Sequence, residues 1–218
     1  DEFLRSAFLE MFGDPVRNQK GWQRGTIGDT VAETQYGTGT KANSNGVGLP
    51  VLRMNNLTSD GAIDLTSLKW CEVADRDLGN YTVRRGDLLF NRTNSPALVG
   101  KAAVWDRDDA YAFAGYLVRV RFDESRALPD YISGYLNSRH GKRLLFEKAK
   151  PSNNMSNISA SELLRLPVLL PDVAEQQRYA DLVEATKLAK ARLGVAETGS
   201  GALFDSLVQQ AFGGEVSI

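Results

Sequence analysis

The sequence predicts an α+β fold in which a β-rich body follows a short N-terminal helix and precedes a long helix of the coiled-coil type. Three patterns along the 218 residues support this prediction. Apolar residues recur at helical spacing near the N-terminus, short β-rich runs alternate with turn residues from about 21 to 127, and a three-four apolar rhythm follows Pro171. We therefore divide the chain into residues 1–14, 15–171 and 172–218.

The N-terminal helix is predicted from the spacing of its apolar residues, which are Leu4, Ala7, Phe8, Met11 and Phe12. Gly13 and Pro15 end it, because glycine destabilises a helix and proline lacks the amide hydrogen that a helix needs. FLRSAFLEMFGD of residues 3–14 also aligns with LFDSLVQQAFGG of residues 203–214, at an offset of 200. The repeat is either a chance likeness of two amphipathic helices or one unit of a tandem duplication.

The β-rich body is predicted from four runs of strand-forming residues, at 51–54, 88–90, 102–105 and 116–122. The last run alternates apolar residues with Arg119 and Arg121, so we expect one buried face and two arginines on a solvated face. One or two helices are predicted over residues 129–148, and a short apolar stretch lies between two prolines at residues 166–170. Ser159 and Glu162 have the spacing of a helix capping box.

The last region is predicted to be helical, with seam residues Tyr179, Leu182, Thr186, Ala189, Leu193 and Ala196. Their alternating steps of three and four are typical of a coiled coil. Residues 198–201, TGSG, are expected to interrupt the helix, since each interior glycine costs roughly 1 kcal/mol relative to alanine. A last helix is predicted from Ala202 to Phe212, closed by Gly213 and Gly214. We expect a partner or second helix to contact Tyr179, Leu182, Val183, Thr186, Ala189 and Leu193.

The composition argues against several kinds of site. With one cysteine, Cys71, and one histidine, His140, we expect no disulfide framework, no metal or other cofactor, and no Ser-His-Asp triad. No apolar run approaches the roughly 18 residues of a membrane span and no secretory signal begins the chain, so the cytoplasm is the expected compartment. The net charge is −1, but residues 81–150 carry 13 Lys and Arg against 8 Asp and Glu, a local net charge of +5.

Four stretches resemble the DNA-specificity subunit of type I restriction-modification enzymes: FLEMFGDPVRNQKGW, PVLRMNNLTSDGAIDL, GDLLFNRTNSPALVGKAAVW and NMSNISASELLRLPVLLPDVAEQQRY. They occur in the order of that family and cover nearly the whole chain. The resemblance implies a target recognition domain followed by a spacer helix, which is one half-unit of a subunit that usually carries two. It also implies double-stranded DNA, methyltransferase subunits and motor-nuclease subunits as partners.

A single half-unit needs a second one to recognise a split DNA site. The resemblance therefore implies a homodimer or a second half-subunit that pairs through the spacer helix. The chain is expected to be either a naturally short subunit or a fragment. In a symmetric pair, the two half-sites would be identical and inverted.

Polar loops of the body carry residue types that suit DNA contacts. Arginine matches guanine, asparagine matches adenine, and lysine or arginine binds phosphate. We expect DNA contacts from Tyr36, Lys41, Asn43, Asn55, Asn56, Asn91, Arg92, Thr93, Asn94, Lys101, Asn153 and Asn154. The stretch GDLLFNRTNS of residues 86–95 is interpreted as a turn and a buried run leading to a polar tip. The alternative for each asparagine is a turn held by side chain–backbone hydrogen bonds.

Other polar residues are interpreted as structural. His140 is placed at a helix end, where its charge would favour the negative end of the dipole. Glu72, Asp75 and Asp77 lack the spacing of a loop that binds a metal and are expected to cover a helix or turn.

The sequence contains no methyl-donor glycine motif, no Asn-Pro-Pro-aromatic motif and no nucleotide-binding loop. We therefore expect a non-catalytic, sequence-specific DNA-binding subunit. Two alternatives stay open. One is a recognition fragment of a fused DNA methyltransferase or nuclease, and the other is a protein-interaction scaffold.

Overall fold

The computed structural model describes residues 2–95, 98–152 and 155–212, with the backbone alone at 150–152, 155 and 193–212. The chain divides into two compact units, Asp1–Tyr179 and Ala180–Ile218. Within the described ranges, no helix is both long enough and apolar enough to cross a membrane. The mixture of helices and sheets agrees with the predicted α+β class.

Two four-stranded sheets form the centre of the first unit. The strands of the first sheet, in spatial order, are β2 (Val31–Tyr36), β10 (Leu117–Phe122), β6 (Leu88–Asn91) and β8 (Ala102–Val104). All their pairings are antiparallel. The second sheet contains β4 (Lys69–Cys71), β3 (Leu49–Leu52), β9 (Tyr111–Phe113) and β5 (Thr82–Val83), with β3 parallel to β9.

Two smaller sheets and the helices α1 to α5 also lie in the described part of the first unit. One smaller sheet pairs β1 (Gln23–Thr26) with β13 (Pro167–Leu170). The other contains, in spatial order, β11 (Lys150–Ser152), β12 (Met155–Asn157) and β7 (Thr93–Asn94). The helices are α1 (Glu2–Phe12), α2 (Leu78–Tyr81), α3 (Pro129–Asn137), α4 (Arg139–Lys148) and α5 (Ala160–Leu164). The predicted capping box of Ser159 and Glu162 begins α5, with both reciprocal hydrogen bonds present.

The main apolar core draws side chains from both four-stranded sheets. Its buried members are Leu52, Leu57, Val83, Leu89, Ala103, Trp105, Phe113 and Leu117. The apolar runs identified in the sequence supply most of these residues, because a strand covered on both faces needs apolar side chains on both.

The arginines of β10, Arg119 and Arg121, do not form the solvated face that the sequence suggested. Arg119 is only 1% exposed, since β10 lies between β2 and β6 and α2 contributes the Gly79 carbonyl that accepts from its guanidinium. Its charge is balanced by ion pairs with Glu33 and with the buried Asp87. Arg121 bonds to the same two carboxylates, at 2.8 Å from Asp87 and 2.9 Å from Glu33. The two arginines therefore belong to an ionic network in which Arg119 and Asp87 are buried and Glu33 is exposed.

A cluster of four aromatic rings attaches α1 to the body. Phe8 and Phe12 of α1 pack against Tyr131 of α3, with ring centroids 5.5 Å and 4.8 Å apart. Both also pack edge-on against Tyr179, at 5.3 Å and 5.7 Å. Tyr131 donates its hydroxyl hydrogen to the Leu169 carbonyl. The cluster shows that the apolar face predicted for the N-terminal helix is a core face.

The last helix, α6, runs from Val173 to Phe212 without the predicted break at Thr198–Gly201. A glycine lowers helix stability but keeps its amide donor and carbonyl acceptor, so a helix can continue through two of them. The separate helix predicted from Ala202 is therefore part of α6, and Gly213 and Gly214 lie outside the described residues.

His140 also departs from the prediction. It lies in the first turn of α4 rather than at a helix C-terminus. Burial lowers the pKa of its imidazole and so favours the neutral ring, and the negative charge of Asp14 partly opposes this shift. Asp75 and Asp77 do cover a turn, as expected.

Candidate nucleic-acid interface

One end of the first sheet brings together several predicted contact residues. Strands β2 and β6 finish there at Tyr36 and Asn91, and β10 begins there after Tyr116. The register pairs Tyr36 with Val118 and Asn91 with Leu117, so these chain ends lie side by side. We call Tyr36, Arg92 and Tyr116 the strand-end surface.

Arg92 is held at the strand-end surface by its backbone. Its amide donates to the Tyr116 carbonyl at 3.1 Å, and its carbonyl accepts from the Ile158 amide at 2.9 Å. The guanidinium lies over the Tyr36 ring, 5.2 Å from the centroid. Within the described residues, its buried Nε atom has no hydrogen-bond partner and no carboxylate forms an ion pair with it. The stacking on the ring leaves the positive charge of Arg92 unneutralised.

Tyr36 is fixed at both ends of its side chain. Its hydroxyl oxygen accepts from the Ala160 amide at 3.1 Å, and its ring supports Arg92. The residue is nevertheless 43% exposed, and the neighbouring Tyr116 is 52% exposed. The strand-end surface therefore presents one cation and two aromatic rings.

The polar residues around Arg92 do not form the exposed tip that the sequence suggested. Asn91, Thr93 and Asn94 are buried, at 0%, 7% and 7% exposure. Thr93 and Asn94 form β7, which pairs with β12. The Thr93 hydroxyl donates to the Asn157 side-chain oxygen. Pairing with a strand more than 60 residues away gives Thr93 and Asn94 a structural role, and Asn91 is buried with backbone hydrogen bonds to Gly100 and Lys101. We therefore remove all three from the expected DNA contacts.

Loop 37–48 follows Tyr36 and contains two predicted contacts. Lys41 is exposed. Asn43 is partly buried, and its side-chain amide bonds within the loop, donating to the Val47 carbonyl at 2.8 Å and accepting from the Asn45 amide at 3.2 Å. Lys41 therefore stays a candidate, whereas Asn43 forms the side chain–backbone turn that was its alternative role.

The two asparagines after β3 also differ in exposure and role. Asn56 is 2% exposed and accepts from the Arg53 amide while donating to the carbonyls of Asp64 and Ser67. Its hydrogen bonds close a loop, which makes it a structural residue. Asn55, its neighbour in the same 3-10 turn, is exposed and stays a candidate.

Two lysines support the turn that precedes β8. Lys101 donates to the Leu57 carbonyl at 2.8 Å, and Lys142 of α4 donates to the Gly100 carbonyl at 2.9 Å. Burial lowers the pKa of both, and for Lys142 burial together with the charges of Arg5 and Lys101 lowers it to about 8. The ammonium group of Lys101 thus forms a hydrogen bond within the fold, so we remove Lys101 from the expected DNA contacts.

The remaining predicted residues lie in α6 or outside the described residues. Tyr179 is 3% exposed and belongs to the aromatic cluster of the first unit, so we remove it from the partner-facing set. Val183 is buried at 9% exposure, Leu182 and Thr186 are partly exposed, and Ala189 is exposed. The side chain of Leu193 and residues Asn153 and Asn154 lie outside what the structure describes. In the described part of the chain, no group of three or more His, Cys, Asp or Glu side chains could hold a metal ion.

Comparison with known proteins gives a consistent result. No protein-family model matches the chain. It is 27% identical over 194 residues to the EcoKI type I restriction specificity subunit of Escherichia coli K12, covering 86% of this chain and 41% of that protein. It is also 27% identical over 164 residues to a protein of Methanocaldococcus jannaschii described as the MjaX type I restriction specificity subunit, covering 74% of this chain and 38% of that protein. This chain resembles half of a type I restriction specificity subunit.

Solved structures of the specificity subunit share the fold. The HsdS subunit of Thermoanaerobacter tengcongensis matches 98% of this chain with 51% of its own, at a TM-score of 0.54 and 21% identity. A structure from a study of type I complex assembly and conformational transition matches 95% of this chain with 49% of its own, at a TM-score of 0.61 and 21% identity. The chain thus spans about half the length of the specificity subunits it matches.

Two exposed residues at the candidate interface were missed by sequence reasoning. Tyr116 stands before an apolar strand and was assigned to that strand, although the turn signal of Gly115 just before it could have placed it at a strand end. Asn45 lies in the same polar loop as Asn43 and was passed over in favour of it. Which asparagine of a loop bonds to the backbone depends on the turn geometry, which composition does not specify.

Proposed function

We propose that this chain is a DNA-specificity component of a type I restriction-modification system, made of one target recognition body and its spacer helix. The observation that carries the proposal is the similarity to two curated specificity subunits over 74% and 86% of the chain. The component itself is non-catalytic. It binds double-stranded DNA and directs methyltransferase subunits, and with them motor-nuclease subunits, to a site.

The strand-end surface supports DNA binding by this component. DNA carries about one negative charge per 1.7 Å of helix axis, so an arginine without a carboxylate partner at an exposed position is a suitable phosphate contact. Arg92 is partly exposed and has no carboxylate partner among the described residues, and Lys41 on the adjacent loop adds an exposed cation. We assign Arg92 and Lys41 to phosphate binding and keep the exposed Asn55 as a further candidate DNA contact.

The spacer region supports the proposed assembly through α6. Leu182, Thr186 and Ala189 follow the three-four rhythm and keep part of their surface exposed. In the proposed assembly, they pack as a coiled-coil seam against the spacer helix of a second half, which belongs to a second copy of this chain or to a second half-subunit. The division into residues 1–14, 15–171 and 172–218 corresponds to helix end, recognition domain and spacer.

Co-expression with the methyltransferase subunits of the same system tests the function. We expect a complex that contains both proteins and methylates DNA at one defined sequence, while this chain alone incorporates no methyl groups. Sequencing of the methylated DNA and the mass of the complex are the two measurements. Methyl transfer or DNA cleavage by the isolated chain would support a fused-enzyme fragment instead, and a complex that ignores DNA would support a scaffold.

A further inference from the structure

Loop 37–48 is anchored to the body at two points. Thr38 donates its amide to the Phe113 carbonyl at 2.8 Å and accepts from the Gly115 amide at 2.9 Å. Asn43 exchanges two backbone hydrogen bonds with Trp70 of the edge strand β4, at 2.7 Å and 3.0 Å. Only the segment after Asn43 projects beyond the second anchor. We call residues Ser44–Val47 the loop tip.

The loop tip has a fixed conformation. The Asn43 side chain bridges it by donating to the Val47 carbonyl at 2.8 Å and accepting from the Asn45 and Val47 amides at 3.2 Å and 3.4 Å. Gly48 closes it with a φ of +94°, and a Cβ atom there would lie 2.2 Å from the Cys71 carbonyl oxygen. A loop tip that is already ordered loses little conformational entropy on binding.

The side chains of the loop tip point to no partner inside the described fold. Ser44, Asn45 and Val47 are all exposed, and Val47 is 46% exposed. Within the described residues, the side-chain amide of Asn45 and the hydroxyl of Ser44 make no hydrogen bond, while the backbone amide of Asn45 donates to Asn43. The molecule thus uses the side-chain amide of Asn43 to order the tip and leaves the side-chain amide of Asn45 free.

We propose that Asn45 is a specificity-determining residue that contacts a base edge in the major groove, and that Asn43 is the positioning residue that presents it. The inference rests on the proposed DNA-binding function and deepens it. An asparagine amide offers the donor and acceptor that match N7 and N6 of adenine, so adenine is the base that Asn45 recognises. Val47 supplies the apolar surface that suits a neighbouring thymine methyl group. Loop 37–48 starts at Tyr36, which holds Arg92, so a phosphate contact and a base contact come from adjacent parts of the chain.

The test uses the complex with its methyltransferase subunits and a duplex library randomised across the recognition site. We expect Asn45→Ala to reduce discrimination at one A·T pair by roughly tenfold to a hundredfold. The preferences at other positions, the melting temperature and binding to unrelated DNA should stay as in the wild type. Asn80→Ala is the matched control, because Asn80 is an exposed asparagine on α2.

The positioning role of Asn43 has its own measurement. Asn43→Ala should weaken discrimination at the base pair of Asn45 and at its neighbour together, because the whole tip loses its bridge. Asn43→Ser should recover part of it, since a serine hydroxyl can accept from the same tip amides. A loss of stability alone would lower total binding without changing the relative preferences.

The outcomes separate the inference from the function on which it rests. If the wild-type complex modifies a defined sequence and Asn45→Ala leaves every base preference unchanged, the inference is overturned and the function stands. If the wild-type complex shows no preferred sequence, both fall.

Discussion

Two arginines in the body, Arg92 and Arg119, show how environment decides the role of the same side chain. Arg119 is buried and faces two carboxylates, Glu33 and Asp87. Arg92 has no carboxylate partner among the described residues and stacks on a half-exposed tyrosine. A buried charge needs a nearby counter-charge, whereas an unneutralised charge at the surface can attract one from a ligand. The identity of the residue alone does not tell which of these two environments an arginine has.

Arg92→Ala should weaken DNA binding by about the same factor on every sequence. Removing one phosphate contact should also lower the log–log salt slope by about 0.9. Fluorescence anisotropy over a series of salt concentrations measures both. Arg107→Ala is the control, because Arg107 is an exposed arginine that follows β8 at the other end of the sheet. A slope that stays at the wild-type value would remove Arg92 from the interface.

Asp87→Asn should destabilise the body strongly. The substitution leaves the buried charge of Arg119 without one of its two counter-charges and weakens both hydrogen bonds from Arg121. Breaking a buried ion pair costs roughly 3–5 kcal/mol in the free energy of unfolding. Urea denaturation measures it, and Asp108→Asn, at a solvent-exposed pair with Arg85, should cost much less because water screens the pair. Equal losses in the two variants would contradict a special role for the buried network.

The pKa of Lys142 predicts a pH dependence of stability. Between its folded value of about 8 and its ordinary value of 10.5, the unfolded chain binds more protons than the folded chain. The free energy of unfolding should therefore rise as the pH increases from 8 towards 9.5. Above about pH 10 the buried tyrosines act in the opposite direction, because their pKa values are raised.

Lys142→Met isolates this contribution. The variant should lose most of the rise between pH 8 and 9.5, measured by urea unfolding at several pH values. Lys148→Met, at an exposed position of the same helix, should keep it. A rise that persists in Lys142→Met would assign the effect to other groups.

At the scale of elements, α1 packs against the body through one of its faces. Phe8 is 4% exposed in the aromatic cluster, whereas Phe3 of the same helix is 58% exposed. Phe8→Ala should lower the free energy of unfolding by roughly 3–5 kcal/mol, since it leaves a cavity among packed rings. Phe3→Ala should change it by no more than about 0.5 kcal/mol. Chemical denaturation compares the two variants, and similar values would contradict the packing of α1 through Phe8.

Strand pairing between distant segments explains why the stretch around Arg92 differs from its prediction. β7 is only two residues long and pairs with β12 through Asn94–Ser156 and Thr93–Asn157. Polar side chains in so short a segment carry no alternating pattern, so local sequence favours a turn. Their burial follows from the approach of residues 155–157 in three dimensions.

At the scale of the whole molecule, the proposed function requires a second half. The chain matches 38% and 41% of the curated specificity subunits. A split recognition site needs two recognition bodies at a fixed separation, and paired spacer helices would set that separation. The exposed seam of α6 is the surface that we propose for this pairing.

Leu182→Asp together with Leu193→Asp should disrupt the assembly. Two carboxylates in an apolar seam would be buried without partners, which is unfavourable for any helix pairing. Light scattering of the complex with methyltransferase subunits should show a loss of mass. Leu188→Asp, at a 51% exposed position outside the three-four rhythm, should leave the mass unchanged. An unaltered mass in the double variant would place the pairing surface elsewhere.

Much of the architecture follows from the sequence by itself. Helical spacing predicted α1, β-rich runs predicted the strands that supply the core, and the resemblance of four stretches to specificity subunits predicted the fold and the family. These features are local, because apolar periodicity and turn residues are set by neighbours in the chain.

The tertiary structure alone decided which polar residues are exposed. It buried Arg119, Asn56 and Asn91, and it left Arg92 and Asn45 accessible. An asparagine or arginine has the same sequence pattern whether it bonds to a distant backbone or faces solvent. Its partners are determined by contacts between segments far apart in the chain, and that is the physical reason why the fold was predictable and the exposure of its polar side chains was not.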